Sequence, residues 1–207
     1  MIGNLYETDN EGKLKLSLHR GQSKAWDSDK RFVFILSGTQ GGKTSFGPFW
    51  LWREIQTHGA GDYLAVTSTF PLLRLKMLPE FLKVFHNTLH IGKWWAADRV
   101  YELANPKTGE MASRATDPMW GRVIFGSAKN ADSLESATAK AAWLDEVGQN
   151  HFRLDAWEAI LRRLSLNRGR VLGSSTLYNW GLMKQQIYDP WKRGENADID
   201  VIQFKSI

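Results

Sequence analysis

The sequence predicts an α/β fold with a largely parallel central sheet flanked by helices. Three observations carry that expectation. Arg31–Leu36 (RFVFIL) is a continuous apolar run of the length of a strand buried on both faces. Strand-like and helix-like segments alternate along the chain, the pattern that crossover connections between parallel strands produce. A Gly-rich turn, Ser37-Gly38-Thr39-Gln40-Gly41-Gly42-Lys43-Thr44, joins the apolar run to the first helical segment.

The elements follow in order. Roughly the first 15 residues are polar and mixed, which reads as a loosely held arm. After the Arg31–Leu36 strand, Lys43–Ile55 reads as a helix and Asp62–Val66 as a second strand. Apolar residues then recur at helical spacing from Pro71 to Leu89, with Pro79 expected to bend or break the helix. The stretch from Trp94 to Trp120 reads as a small antiparallel excursion, with a strand-like piece around Val100 and a turn at Asn105-Pro106. Strands resume at Val123–Phe125 and Ala141–Leu144, followed by an amphipathic helix over Phe152–Leu164. Arg170–Ser174 and Ile199–Phe204 read as strands, and Leu182–Lys192 as the helix between them. No internal repeat or low-complexity tract interrupts this order.

Composition narrows the chemistry. A chain of 207 residues suits one substantial core, read as a single domain over 1–207 with residues 1–15 as the arm. The absence of Cys removes disulfides, thiolate metal sites and cysteine nucleophiles. No window approaches the roughly 18–20 apolar residues that span a bilayer. The net charge of +5 is compatible with a nucleic-acid partner without identifying one. The ten Trp are expected to pack in the core or against neighbouring subunits.

The Gly-rich turn between a buried strand and a helix has the context of a phosphate-binding loop. Glycines let successive backbone N–H groups turn inward around phosphates, and the following helix adds partial positive charge at its N-terminus. Lys43 would reach the β- and γ-phosphates and the Thr44 hydroxyl would bind Mg²⁺. Ser37, Gly38, Thr39, Gln40, Gly41, Gly42 and Ser45 complete the expected nucleotide-binding set, with Ser37 standing where the common pattern has Gly.

About a hundred residues later Ala141-Ala142-Trp143-Leu144 ends in Asp145-Glu146. In P-loop ATPases a strand beside the P-loop strand ends in an acid that holds the metal, and an adjacent acid can polarise the attacking water. Neighbouring carboxylates at a strand end point in different directions. Asp145 is therefore expected to serve Mg²⁺ and Glu146 the γ-phosphate.

With these residues in hand, the chain resembles the ATPase domain of the large terminase subunit of tailed double-stranded DNA bacteriophages. The similarity extends over nearly the whole chain. It begins at His19-Arg20-Gly21-Gln22, where the family places an adenine-recognising Gln about twenty residues before the P-loop lysine. It continues through Gly41–Pro48, the hydroxyl-rich turn Val66-Thr67-Ser68-Thr69-Phe70, Gly126-Ser127-Ala128, Leu134-Glu135-Ser136-Ala137 and the Asp145-Glu146 strand. It closes on Gly173-Ser174-Ser175-Thr176-Leu177-Tyr178-Asn179-Trp180-Gly181, which is similar to the family's coupling motif.

The resemblance implies a P-loop NTPase fold of the ASCE, RecA-like class. It also implies ATP and Mg²⁺ as ligands, with Gln22 at adenine and Ser175 and Thr176 sensing the γ-phosphate. The activity implied is ATP hydrolysis driving double-stranded DNA into a procapsid. The implied partners are a portal protein, the small terminase subunit and further copies forming a ring on the capsid in the host cytoplasm. The family's C-terminal nuclease domain has no counterpart in this sequence and is expected beyond residue 207, so no DNA cleavage is expected of this chain.

The sequence departs from the family where catalytic arginines are common. Thr39 and Glu135 occupy those positions, and Leu177 stands where the coupling motif usually has Pro. Arg163, with Arg162 second, closes the helix after the Asp-Glu strand and is expected to lie near the catalytic edge, acting on a neighbour's nucleotide. The competing reading is a superfamily-2-like helicase or translocase, which shares the P-loop and the Asp-Glu pair. A slow nucleotide-gated switch is a further one.

Overall fold

The computed structural model describes residues 5–10, 13–111, 121–130, 138–176 and 181–205. Its centre is β3 (Phe32–Ser37), buried at every position. Alternation sends Phe32, Phe34 and Leu36 into one core and Val33 and Ile35 into another, so this strand has a hydrophobic layer on each side.

Around it stand β4 (Gly61–Thr67), β5 (Gly92–Trp95), β6 (Val100–Leu103), β7 (Gly121–Ser127), β8 (Ala139–Asp145), β9 (Arg170–Ser175) and β10 (Ile199–Phe204). The sheet has eight strands in the order β10-β3-β9-β8-β4-β7-β6-β5. Pairing is parallel from β10 through β7 and antiparallel at β7-β6 and β6-β5. The expected antiparallel excursion is thus an extension of the main sheet. Its Asn105-Pro106 turn is closed by Gly109 N–H donating to Asn105 O at 2.8 Å and by Asn105 N–H donating to Glu110 O at 2.7 Å.

Helices cover both faces. On the Val33 and Ile35 side lie α1 (Arg20–Asp27), α2 (Lys43–His58) and a helical stretch over 70–88, contributing Ala25, Phe46, Trp50, Met77, Phe81 and Phe85 to the core. On the other side α5 (Leu154–Ser165) brings Ala156, Trp157, Ile160 and Leu164. The π-helical segment Met183–Tyr188 and α6 (Asp189–Lys192) complete that layer through Met183 and Ile187. Trp50 and Trp143 are fully buried, as expected of core Trp, while Trp95 stays partly exposed.

Two expectations are corrected here. The stretch 70–88 carries helical backbone through Pro79. It comprises α3 (Phe70–Leu72), a π turn Leu73–Met77, α4 (Leu78–Leu82) and a second π segment Lys83–Thr88. Pro79 falls in the first turn of α4, just after a π turn whose hydrogen bonds already skip one residue further, so its missing N–H is accommodated.

The described residues of the arm are not loose either. β1 (Tyr6–Thr8) and β2 (Leu14–Leu16) pair as an antiparallel ribbon. Tyr6 ties the ribbon down, its ring 5.1 Å from that of Phe49 and its hydroxyl 3.1 Å from Thr88 Oγ1.

Among the described residues no helix is long and apolar enough to cross a membrane. The seating of α2 on β8 is so close that a Cβ at Gly47 would lie 2.0 Å from the Trp143 ring. Gly47→Ala is therefore expected to destabilise the fold by about 1–3 kcal/mol, the range for overpacking a close-packed core. A lowered urea midpoint at unchanged slope would register it; an unchanged midpoint would show that α2 and β8 can separate freely.

Candidate nucleotide-binding site

The parallel strands end level with one another, and their ends are polar. Leu36 at the end of β3 pairs with Ser175, Asp145 pairs with both Ser174 and Thr67, and Thr67 pairs with Ser127. The C-terminal edge of an open α/β sheet is where such folds bind ligands. A cavity of about 460 Å³ opens there, lined by Thr39–Ser45 together with Glu146 and Thr176 and by Leu75, Lys76, Pro79 and Glu80.

The loop after β3 is built for close approach. Gln40 and Gly42 have φ of 65° and 67°, the left-handed region. A side chain at Gly41 would meet Ser37 Oγ at 2.2 Å. α2 starts at Gly42 with no side-chain cap, so its first N–H groups remain available to an anion.

Lys43 is 7% exposed. Its Nζ donates to Gly38 O at 2.7 Å, Ser37 O at 3.0 Å and Ser37 Oγ at 3.3 Å. Burial pushes its pKa down, against the opposing pull of Glu146 and Asp145, and Lys76 adds to the lowering.

Asp145 sits within reach of this loop although β8 is not the neighbour of β3, because β9 lies between them. The expectation of a strand beside the P-loop strand is corrected to the next but one. The gap is bridged by side chains. Thr44 Oγ1 donates to Asp145 Oδ2 at 3.0 Å, and the Ser174 hydroxyl on the intervening strand donates to Asp145 Oδ1. Burial raises the Asp145 pKa and Glu146 adds to that, while the hydrogen bonds from Ser174 and Thr44 and the charge of Lys43 act the other way. A hydroxyl and a carboxylate meeting at one point form a hard-oxygen donor pair of the kind that suits Mg²⁺.

Glu146 departs from ordinary backbone. Its φ is 59°, unusual for a residue with a long side chain and costing on the order of 1–3 kcal/mol. Surrounding bonds hold it there. Val147 N–H donates to Ser174 O at 3.0 Å, Gly148 N–H to Ser175 Oγ at 3.0 Å, and Gln149 N–H to Glu146 O at 3.1 Å. Its side chain is 8% exposed and lines the cavity, yet Oε2 is buried without a hydrogen-bond partner. Among the described residues it is the one carboxylate oxygen in that condition. A buried acceptor without a partner is uncommon in a folded protein and asks for a reason.

Gln22 lies behind the loop instead of lining the cavity. His19 and Gln22 form a capping box at the start of α1, a helix the polar sequence did not announce. Gln22 Nε2 also donates to Gly42 O at 3.1 Å. His19 Nδ1 accepts from Gly21 N–H at 3.0 Å, so its Nε2 carries the proton and donates to Gly41 O at 3.3 Å. Together the two side chains brace the left-handed turn. A second amide hydrogen and a carbonyl lone pair of Gln22 are what remain for a base edge.

The other predicted residues divide. Thr176 reaches the cavity. Ser175 does not: its hydroxyl accepts from Gly148 N–H and donates to Thr176 O at 3.0 Å, fastening β9 to the loop after Asp145. Glu135 and Leu177 lie outside the described residues.

Arg163 is placed at the opposite edge of the sheet. α5 runs back against the strands, and beyond its end Asn167 Nδ2 donates to Ala139 O at the first residue of β8 at 3.2 Å. The expected position near the catalytic edge is thereby corrected, for both Arg163 and Arg162. Sequence reading also missed Lys76 and Leu75, which reach the cavity from a helix whose spacing spoke only of its buried face.

No protein-family model matches the sequence, and no curated protein matches it. Solved structures do. The ATPase domain of the Thermus phage P74-26 large terminase aligns with a TM-score of 0.64 at 16% identity, over 77% of this chain and 65% of that one. The large terminase of a thermophilic bacteriophage aligns with a TM-score of 0.67 at 13% identity, over 90% of this chain and 45% of its own. The chain has the fold of a large terminase ATPase domain.

The HK97 bacteriophage large terminase repeats the likeness with a TM-score of 0.67 at 13% identity, over 92% of this chain and 39% of that one. The chain thus matches 65% of the P74-26 ATPase domain and less than half of the two large terminases, 45% and 39%. The thermophilic bacteriophage's terminase has been solved with ADP and with ATP-γ-S. A helicase domain, that of Pyrococcus furiosus Hef, aligns with this chain at a lower TM-score, 0.51, at 15% identity over 89% of this chain and 37% of that one.

Proposed function

We propose that this chain is the ATPase motor of a phage DNA-packaging terminase, hydrolysing ATP to drive double-stranded DNA into a procapsid. The observation that carries the reading is Glu146, a residue on left-handed backbone with one carboxylate oxygen buried without a partner, which lines the same cavity as the phosphate-binding loop.

Each residue has a role in this reading. The N–H groups of Thr39 through Ser45 cradle the phosphates, with Ser37 and Gly38 beneath them. Lys43 exchanges the oxygens of Ser37 and Gly38 for those of the β- and γ-phosphates. Thr44 and Asp145, 3.0 Å apart, are the residues that would hold Mg²⁺. Bound there, the metal would supply charge neutralisation on the phosphate oxygens.

Glu146 orients water and takes its proton as the water oxygen bonds to the γ-phosphorus. The bond from that phosphorus to the β-phosphate oxygen breaks, leaving ADP and inorganic phosphate. Thr176 senses the γ-phosphate, and Ser175 passes its loss to the backbone after Glu146. Gln22 supports adenine selection from behind the loop.

The partners of this reading are duplex DNA, a portal protein, the small terminase subunit and further copies of the chain in a ring, in the host cytoplasm. The likeness to the Hef helicase domain supports a second reading, a superfamily-2-like translocase that separates strands. Steady-state ATP turnover with and without duplex DNA, run beside a strand-separation assay, tests both. Turnover stimulated by duplex with no strand separation is expected. Unwinding would favour the helicase reading, and absence of turnover under every condition would overturn the motor.

A further inference from the structure

The cavity holds a cation that the hydrolysis proposed for Lys43, Asp145 and Glu146 does not use. Lys76 lies on the π turn Leu73–Met77, which is pinned at both ends by buried side chains, Leu73 at 3% and Met77 at 0% exposure. The residues between them project outward, and Leu75 and Lys76 line the same cavity as Lys43, Glu146 and Thr176. Among the described residues Lys76 makes no hydrogen bond or ion pair, not even with Glu80, which lines the cavity one turn further on. Leu75 beside it is 77% exposed, an apolar side chain among the residues that line the cavity.

Charge adds to the placement. Lys43 feels the like charge of Lys76, which helps lower its pKa. Two ammonium groups that sense each other across one cavity lie within Coulombic reach of the same ligand oxygens. The nearby acids, Asp145 and Glu146, increase the need for cations when a polyanionic triphosphate enters. With Thr39 uncharged and Arg163 at the far edge of the sheet, no arginine supplies that charge from the loop or from α5. A π turn also widens the helix locally, and such turns occur frequently at functional sites.

We propose that Lys76 is a second phosphate-binding residue, acting within the same chain, that contacts the γ-phosphate of a bound nucleoside triphosphate. The inference rests on the nucleotide-binding reading of the cavity. It extends that reading by making the helix after β4 responsive to the difference between triphosphate and diphosphate. That helix begins where Thr69 Oγ1 accepts from Leu72 N–H, directly after β4, and its Phe81 and Phe85 lie in the core. Engagement of Lys76 would therefore pull on an element that reaches well into the domain.

Equilibrium binding of ATP-γ-S and of ADP, each with Mg²⁺, to the 207-residue chain and its Lys76→Ala, Lys76→Arg and Lys43→Ala variants tests the inference. Lys76→Ala is expected to weaken ATP-γ-S by about tenfold or more, the worth of one charge-assisted hydrogen bond, while ADP stays within about twofold. Lys76→Arg is expected to recover most of the triphosphate affinity. Because Lys76 is exposed, unchanged thermal midpoints should accompany these shifts. Equal weakening of both nucleotides, or none, would overturn the γ-phosphate contact. Failure of the unsubstituted chain to bind either nucleotide would instead overturn the reading of the cavity itself, and Lys43→Ala losing both nucleotides marks that reading as sound.

Discussion

Lys43→Ala is expected to lose productive triphosphate binding, with affinity falling by about 100-fold or more if two charge-assisted bonds to phosphate are removed. The geometry gives this substitution two consequences. Lys43 is the cation at the head of α2, so its loss removes the charge that meets the β- and γ-phosphates. It is also the donor that satisfies Ser37 O and Gly38 O within the loop, at 3.0 Å and 2.7 Å. Alanine would take the lysine donor from both carbonyls, leaving Gly38 O only the Ser37 hydroxyl at 3.3 Å, and the loop would relax even before nucleotide arrives. Titration with a fluorescent ATP analogue reads the first consequence and a thermal melt the second. Near-normal affinity in a folded Lys43→Ala chain would sink the assignment of this loop to phosphate. A shifted melt with affinity intact would show that the lysine acts only as an internal tie.

How much of this was readable beforehand follows from where each signal originates. β3 was legible because a strand buried on both faces reads as a continuous apolar run, and Phe32–Leu36 (FVFIL) has that form. The phosphate loop was legible because close approach demands glycine at defined points, and Gly41 and Gly42 stand at those points. The pairing of Asp145 with Thr44 was legible in kind, though not the strand between them. Strand order depends on which crossovers pack, and nothing in a local run of residues records that.

Other elements were hidden for equally physical reasons. The β1-β2 ribbon depends on Tyr6 docking against Phe49 and Thr88, contacts far away in sequence. α1 is held by its capping box and by buried Gly21, Gln22 and Ala25 more than by any apolar stripe. The direction of α5 explains the misplacement of Arg163. A crossover helix returns to the strands' starting edge, so its last turn lies far from a site built on strand ends. A helix rim such as Lys76 is silent in sequence because periodicity marks the buried face and says nothing of what the opposite face overlooks.

Glu146→Gln is expected to retain nucleotide binding and lose turnover by about 100-fold or more, the usual share of a positioned general base. The substitution keeps the shape of the side chain and removes its basicity. Left-handed backbone at Glu146 is fixed by its neighbours, Val147 to Ser174 and Gly148 to Ser175, so glutamine is held in the same pose. That backbone is strained for either residue, and stability is therefore expected to change little between them. The unpartnered Oε2 is what changes most: a carboxylate oxygen can only accept, whereas an amide nitrogen in that place can only donate. In either orientation the amide has no basic oxygen, so water could not hand over its proton there. Phosphate release measured under saturating ATP, together with the dissociation constant for ATP-γ-S, separates the two contributions. Lost turnover at unchanged affinity identifies Glu146 as the group that activates water. Turnover within a few-fold of the unsubstituted chain would assign that task elsewhere in the cavity, and the strained backbone at Glu146 would then need another explanation.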